Sequence, residues 1–409
     1  KDSLVIADLH PDLTTILGGT IENKSSNRLY FTDENLKSIY TYSFDLKAKK
    51  ADSLARFEMP LNEYVTQIFE HKNAMYVFTI SKDESWVRVY AFKNKTQPIV
   101  QTYLLDAFGI QTVEGGQLGF KEVMRTSNSF EFPYSIEYIK PDFQSQLMQV
   151  AARRKMYVEN EKIYLSFDYN PEKTSWIVLD LEAHSIRFQQ TNLPKISSED
   201  KAGFQFNSFL HEGMVYSLKK NMDTLKVNIV DFETNEIVKT FDGTKEKIDF
   251  SNTELFYNPG SNKAFKQYKS AKPFFKKTKN SYWGIGVFTE KEGYAVTIGA
   301  IKESPNNALL VGDIFLNALV IAAGSDVGYE PILMNLSETE FQSSFFETRL
   351  SFELRHQLGE LEPNGEHKIN FFLSENPKVK NPFIFKRLSY YVLSYYDAKK
   401  NKIFFRKFD

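Results

Sequence analysis

The sequence predicts an all-β protein assembled from a repeated unit of short strands, and three observations support this fold class. Apolar and polar residues alternate from Ile163 to Asp168, which is the two-residue period of a strand with one buried face. Turn-forming residues from Asn170 to Lys173 then separate this run from a second apolar run, Trp176 to Leu181. No segment keeps a helical period for long, whereas β-branched and aromatic residues are concentrated in such runs.

The same unit recurs along the chain. Tyr30, Tyr76, Tyr164 and Tyr216 occupy matching places in it, at intervals of roughly 46, 88 and 52 residues, and a last copy runs from Tyr390 to Phe405. A repeat of short strands with this period is typical of a β-propeller. The pattern therefore predicts about seven four-stranded blades, with six or eight as alternatives. Four blades are clear, at roughly 20–60, 61–105, 156–200 and 201–245.

The remaining segments complete one domain of residues 1–409. A strand near Leu4 to Ala7 is expected to pair in the last blade with the C-terminal strand, Ile403 to Phe405, and so close the ring. The interrupted pattern of residues 106–140 predicts an embellished blade that carries a long surface loop. Residues 253–352 form the least repetitive region of the chain. Two buried strands, or alternatively one buried helix, are expected in the apolar stretch 308–324, which is shorter than the ~20 residues that span a bilayer.

Composition excludes several classes of function. Lys+Arg 51 nearly balances Asp+Glu 52, which argues against a protein dedicated to binding duplex nucleic acid. There is no cysteine, so disulfides, thiolate metal sites and cysteine nucleophiles are excluded. The chain starts at Lys1, from which we expect that a leader was removed and the protein exported; a trimmed cytoplasmic protein is the alternative.

No compact catalytic, metal or cofactor motif is present. The six histidines lack metal-ligand spacing, and His211-Glu212 lacks the second histidine of a zinc protease motif. Gly284-Ile285-Gly286 and Gly115 to Gly119 lack the full phosphate-loop fingerprint, so turns or bulges are expected there. A glycosidase-like carboxylate pair could converge from distant blades, but sequence alone does not identify it. We therefore expect no cofactor, no metal and no enzymatic activity.

One segment stands out as a candidate partner-binding surface, because lysines and aromatic residues interleave between Leu255 and Thr289 without any acidic residue. Such a mixture can bind acidic proteins, anionic surfaces or glycans through charge and stacking. The alternative is a solvated segment whose aromatic side chains turn inward while the lysines keep it soluble. The predicted binding residues are Lys263, Lys266, Lys269, Lys272, Phe274, Phe275, Lys276, Lys277, Lys279 and Trp283.

The repeated unit, with its apolar-Tyr-apolar strand and a later strand such as Val178 to Leu181 or Ile229 to Phe232, resembles the uncharacterised propeller-type envelope lipoproteins of Bacteroidota. The resemblance covers about half the chain and transfers no catalytic residue. It implies export to the periplasm or outer-membrane surface and a lipid anchor upstream of Lys1. The predicted function is a non-enzymatic scaffold subunit that binds a protein partner in an envelope assembly; the alternative is a glycan-binding or glycan-active propeller with an axial-face site.

Overall fold

The computed structural model describes residues 15–408 except 24–25, 34–35, 46, 49, 94–96, 113–114, 126–133, 142–143, 198–202, 260–265, 303–341, 360, 362–364, 377–378, 388–389 and 398–401. Within these residues the protein is all-β, with six larger antiparallel sheets that follow one another along the chain. We number them sheet 1 to sheet 6. The strand near Leu4 and the stretch 308–324 lie outside the described residues, so the expectations for both stay predictions.

Sheets 1, 2 and 4 are four-stranded meanders, in which each strand pairs with the next along the chain. Sheet 1 contains β1 (Thr15–Ile21), β2 (Ser26–Thr32), β3 (Ser38–Asp45) and β4 (Lys50–Glu58). Sheet 2 contains β5 (Glu63–His71), β6 (Ala74–Ser81), β7 (Trp86–Phe92) and β8 (Ile99–Leu104). Sheet 4 contains β16 (Gln205–His211), β17 (Met214–Lys220), β18 (Thr224–Asp231) and β19 (Ile237–Thr244).

Sheet 3 is the same meander with one short parallel strand added at its edge. It contains β11 (Glu137–Tyr138), β12 (Arg154–Glu159), β13 (Lys162–Asn170), β14 (Lys173–Asp180) and β15 (Ser185–Asn192). A small hairpin of β9 (Gly109–Gln111) and β10 (Gln117–Gly119) precedes it. The hairpin and α1 (Phe120–Met124) pack between sheets 2 and 3 through a shared apolar cluster that includes Ile110 and Phe120.

Sheet 5 departs from sequence order, because its strands run β21-β20-β24-β23-β22. They are β20 (Phe256–Asn258), β21 (Lys266–Gln267), β22 (Tyr282–Glu290), β23 (Gly293–Ile301) and β24 (Ser343–Leu350). Sheet 6 has three described strands, β25 (Lys380–Arg387), β26 (Tyr390–Asp397) and β27 (Lys402–Phe408). The other helices are α2 (Leu147–Val150), α3 (Ala271–Lys277) and α4 (Gly365–Glu375).

Two kinds of turn explain why the strands end at matching places. In sheets 2 and 4, and in the four-stranded meander of sheet 3 counted from β12, the turn between the first and second strands places two residues at positive φ, as Glu212 (φ 48°) and Gly213 (φ 73°) do. Two such residues define the type I′ turn, whose twist matches that of the flanking strands. The third strands of sheets 3 and 4 end at Asp180 and Asp231, whose carboxylates accept backbone N–H groups two and three residues onward.

The repeated tyrosines hold neighbouring sheets together. All four lie on the second strand of their sheet and are buried. Tyr30 of sheet 1 donates a hydrogen bond to the Phe92 carbonyl oxygen in sheet 2, at 3.2 Å. Tyr164 of sheet 3 packs edge-on against Phe232, which follows the third strand of sheet 4, with ring centroids 5.4 Å apart. Tyr30 and Tyr164 therefore each contact the end of the third strand in the next sheet.

The all-β class and the repeated sheets are confirmed. The four clear repeats agree with the structure, which gives 15–58, 63–104, 154–192 and 205–244 for their strands. Seven blades are not shown, since each described sheet is open and a small hairpin with a helix occupies the irregular segment after sheet 2. The turn at Gly115 is present, but the turn or bulge expected at Gly284-Ile285-Gly286 is wrong, because these residues lie inside β22.

Candidate functional site

The lysine-rich segment folds as helix α3 with its flanking residues, and its aromatic side chains point into the protein. Phe274 and Phe275 lie on α3, Trp283 lies on β22, and none of the three is more than 1% exposed. Phe274 packs edge-on against Trp283 with ring centroids 5.6 Å apart. The Trp283 indole N–H donates to the Thr278 carbonyl oxygen at 3.3 Å. These three rings hold α3 on the core and offer no surface for stacking on a partner.

The lysines of the same segment point outward. Those that the structure describes are all exposed: Lys266, Lys269, Lys272, Lys276, Lys277 and Lys279. Lys263 lies outside the described residues. Within the described part of the chain none of these six forms an ion pair, and the nearest acidic residues in sequence are Glu254 and Glu290. We call this surface, defined by these six lysines, the lysine face.

A further lysine lies beneath α3. Lys220, at the end of β17, is 1% exposed, and its ammonium nitrogen lies 5.3 Å from the Phe275 ring centroid and 5.2 Å from that of Trp283. Burial lowers the pKa of Lys220 to about 8, because no carboxylate offsets the loss of water. Sheet 4 thus contacts α3 through a cation over two aromatic rings.

A second cluster of polar groups lies where β12 of sheet 3, β16 of sheet 4 and β22 of sheet 5 end. Glu159 is the last residue of β12, His211 is the last residue of β16, and Thr289 lies near the end of β22. The type I′ turn after β16 brings Glu212 beside them. We call Glu159, His211, Glu212, Thr289 and Tyr294 the strand-end cluster.

Hydrogen bonds fix the protonation pattern of this cluster. The Glu212 carboxylate accepts the Thr289 hydroxyl at 2.8 Å and the Tyr294 hydroxyl at 2.9 Å. Because the Thr289 proton is directed at Glu212, the Thr289 oxygen accepts a hydrogen bond from His211 Nε2, 2.7 Å away. The neutral His211 ring therefore carries its proton on Nε2, and Nδ1 keeps a free lone pair.

Burial acts in opposite directions on the two acid–base groups. It lowers the pKa of His211, and this effect outweighs the opposing attraction of Glu212. Burial raises the pKa of Glu159, aided by repulsion from Glu212, although backbone N–H groups of Glu212 and Gly213 favour the ionised carboxylate. His211 is thus neutral near pH 7, and Glu159 binds a proton more readily than an exposed glutamate does.

A small pocket opens beside the cluster, with Glu159, His211 and Lys140 as its polar lining residues. Its volume is about 260 Å³ when the open solvent at its mouth is included, and its enclosed part has room for about one water molecule. The remaining lining residues are Ile139, Pro141, Tyr157, Val158, Phe209, Leu210 and Val287. In this conformation the enclosed space is too small for a sugar ring and suits a single small polar group.

The sequence pointed to the lysine face but not to the strand-end cluster. In the sequence, His211-Glu212 matches only a fragment of a zinc motif, whereas the partners of this pair come from two other sheets. The one available signal was its position, since His211 ends the first strand of a repeat and precedes a turn. Among the described residues, no three His, Asp or Glu side chains lie close enough to hold a metal ion.

Comparisons with known proteins leave the function open. No protein-family model and no curated protein matches the chain. Similar solved structures include the Dos1 propeller, with 10% identity, a TM-score of 0.28 and coverage of 93% of this chain and 67% of that one. An exo-β-1,3-galactanase from Phanerochaete chrysosporium has 11% identity, a TM-score of 0.25 and coverage of 82% and 60%. The WD40 domain of SCAP from fission yeast has 12% identity, a TM-score of 0.25 and coverage of 83% and 75%.

Scores this low carry no argument about substrate or partner, and the galactanase and the WD40 domain score equally. In the described part of the chain, no helix has both the length and the apolar character needed to cross a membrane. The lysine face and the strand-end cluster are therefore the two features of the molecule that bear on its function.

Proposed function

We propose that the protein is a non-enzymatic interaction subunit that binds an acidic protein partner through the lysine face. One observation supports this most strongly: six exposed lysines, none of which pairs with an acidic group among the described residues, lie on and beside a helix that three buried aromatic side chains hold in place. A cluster of like charges costs stability in the free protein, and an acidic partner would remove that cost. The export and envelope location implied by the sequence resemblance belong to the same proposal.

The geometry of α3 suits such a contact. Lys272 and Lys276 are four residues apart and so lie on the same side of the helix, and Lys276 and Lys277 lie in its last turn, where cations are favoured. Lys277 also lies over the ring of Tyr257, 5.2 Å from its centroid, which limits its freedom. Pre-positioned charges lose less conformational entropy when a partner binds.

The test is charge reversal. The Lys272→Glu, Lys276→Glu, Lys277→Glu triple variant is expected to lose the partner at physiological salt, because the exposed charge becomes repulsive while Phe274 and Phe275 stay in the core. The tagged protein and the variant are purified from their native membranes in mild detergent, and the recovered proteins are quantified by mass spectrometry. Circular dichroism and thermal unfolding verify that the variant folds.

A matched control reverses the same amount of charge elsewhere. Lys195, Lys291 and Lys302 are exposed and lie outside the lysine face, so the triple glutamate variant at these positions should keep the partner. Equal recovery with both triple variants contradicts the proposal. Recovery of no partner by the wild-type protein also contradicts it and favours the glycan alternative.

The glycan alternative has one observation in its favour, which is that Glu159 and Glu212 occupy different environments in a single cluster. Two neighbouring carboxyl groups are a common arrangement in glycoside hydrolysis. Against it, all three tryptophans, Trp86, Trp176 and Trp283, are at most 5% exposed, so none presents a ring to a sugar. A carbohydrate array probed with the labelled protein tests this alternative directly.

A further inference from the structure

We propose that the pocket beside the strand-end cluster is a binding site for a primary alkylammonium group, held by Glu159 and His211 Nδ1. This site is separate from the lysine face and does not depend on the proposed function. The ligand class follows from four properties of the pocket, namely its hydrogen-bond acceptors, its charge, its size and its apolar walls.

The pocket offers hydrogen-bond acceptors from His211 and Glu159. His211 is 8% exposed, lines the pocket, and keeps an unprotonated Nδ1, because Nε2 donates to Thr289. In the described part of the chain no donor reaches Nδ1 within hydrogen-bond distance. Glu159 also lines the pocket, and its carboxyl has acceptor capacity beyond the backbone N–H groups of Glu212 and Gly213, so the ligand needs N–H or O–H donors.

Charge selects among donor ligands. Glu159 lines the pocket, and Glu212 lies close enough to affect its proton affinity, while His211 is neutral. Lys140 is the cationic group of the lining and limits the excess of negative charge. A ligand with a single positive charge on a donor group therefore fits better than a hydroxyl or an anion.

The size of the pocket and its apolar walls further restrict the class of ligand. An ammonium group is about as large as the one water molecule that the enclosed part accommodates, and it offers three N–H donors. Apolar residues such as Ile139, Phe209 and Val287 line the rest of the pocket and suit an alkyl chain leading to its mouth. The side chain of lysine in a peptide and a free alkylamine share this chemistry.

The probe is n-butylammonium chloride, and the readout is the ¹⁵N spectrum of the protein labelled only at its histidines, of which there are six. The expected result is a saturable shift of the His211 Nδ1 signal, with the Nε2–H form retained, because Nδ1 accepts a new hydrogen bond. Tetramethylammonium chloride at equal concentration is the control, since it carries the charge without an N–H donor. Equal shifts with both salts, or a response that never saturates, overturns the proposal.

Substitutions provide an independent arm. Glu159→Gln keeps the shape of the side chain and is expected to weaken n-butylammonium binding by at least tenfold, whereas Glu182→Gln, at an exposed turn, should not change it. Unchanged affinity in a folded Glu159→Gln protein contradicts the assignment. If that variant does not fold, the comparison of the two salts on the wild-type protein decides.

A last experiment distinguishes a lysine side chain of a peptide from a free alkylamine as the ligand. The capped peptide acetyl-Gly-Lys-Gly-amide is titrated alongside n-butylammonium, with acetyl-Gly-norleucine-Gly-amide as its control. Saturable binding of the lysine peptide supports a site that takes a lysine of a polypeptide. Binding of n-butylammonium alone supports a site for free amines, and binding of neither overturns the proposal.

Discussion

Lys220 shows how a single buried charge sets local stability at the residue scale. Its only close partners among the described residues are the rings of Phe275 and Trp283, and such contacts replace lost hydration only in part. The charged form of Lys220 therefore lowers the free energy of unfolding. The sequence indicated neither the burial nor the pKa, because lysines 219 and 220 look like the polar end of a strand.

This residue gives a pH-dependent prediction. The pKa of Lys220 is about 8 in the folded protein and 10.5 when unperturbed, so between these values the unfolded chain binds more protons. Stability should then rise with pH across this window, by up to ~3 kcal/mol for a shift of this size. Urea unfolding at several pH values compares the wild type with Lys220→Met, which lacks the titrating group.

The difference between the two proteins isolates Lys220, because every other titrating group is common to both. The free energy of unfolding of the wild type should increase relative to that of the variant from pH 8 upward. The advantage of the variant over the wild type should be largest near pH 7. Stability curves that stay parallel over the whole range would show that the amine is hydrated in the folded state.

At the scale of elements, strands and turns were predictable wherever their signals are local. The alternation of apolar residues and the recurring tyrosine are enough to locate sheets 1 to 4, and Asn170 marks a turn within sheet 3. Sheet 5 could not be predicted, because β20 pairs with β24 across more than eighty residues of chain. The two glycines inside β22 suggest a turn when only the local sequence is considered, because α2, which packs closely against them, is distant in sequence.

That helix gives a prediction for the strand. A Cβ atom added at Gly284 would lie 2.6 Å from the backbone nitrogen of Ala151 and 2.8 Å from its Cα. Gly284→Ala should therefore push α2 away from β22 and lower the free energy of unfolding by ~1–3 kcal/mol. Chemical denaturation followed by near-ultraviolet circular dichroism measures the loss.

The control for this substitution is Gly203→Ala, where no atom lies within 4 Å of the added carbon. It is expected to leave the unfolding midpoint unchanged or slightly raised, since alanine has less freedom in the unfolded chain. If both variants unfold at the same denaturant concentration, the close contact between α2 and β22 is not present in solution.

On the scale of the whole molecule, polar contacts between sheets add to the aromatic ones. Lys155 and Asp168 of sheet 3 are both fully buried and form an ion pair of 2.9 Å. Lys155 also donates to Asn207 of sheet 4 at 3.0 Å, and Asp168 accepts the Ser208 hydroxyl of the same sheet at 2.9 Å. A change in either charged residue should therefore affect two sheets at once.

Asp168→Asn leaves the Lys155 ammonium without a counter-charge in the interior and should cost ~3–5 kcal/mol of folding free energy. Adding Lys155→Met to it removes the unpaired charge and should recover part of that loss, while the asparagine still bonds to Thr174 and Ser208. A double-mutant cycle by urea unfolding measures the coupling. Purely additive losses would mean that the two charges do not interact.

Assembly across sheets also explains why the candidate sites were only partly predictable. The lysine face was predicted because its charges are contiguous in sequence, although the inward direction of Phe274 and Trp283 was only an alternative. The strand-end cluster joins Glu159, His211 and Thr289 from three sheets. Such a cluster depends on how the sheets stack, which no local pattern specifies.

Strand β22 takes part in both candidate sites. By alternation, Trp283, beneath α3, lies on the same face as Val287 and Thr289, which belong to the pocket and the strand-end cluster. A small displacement of this strand would thus be felt at both sites, because its side chains are close-packed at each. If a partner on the lysine face alters the affinity of the pocket, thermodynamic linkage requires the pocket ligand to alter the partner's affinity by the same factor. The two surfaces would then be energetically coupled binding sites and not independent ones.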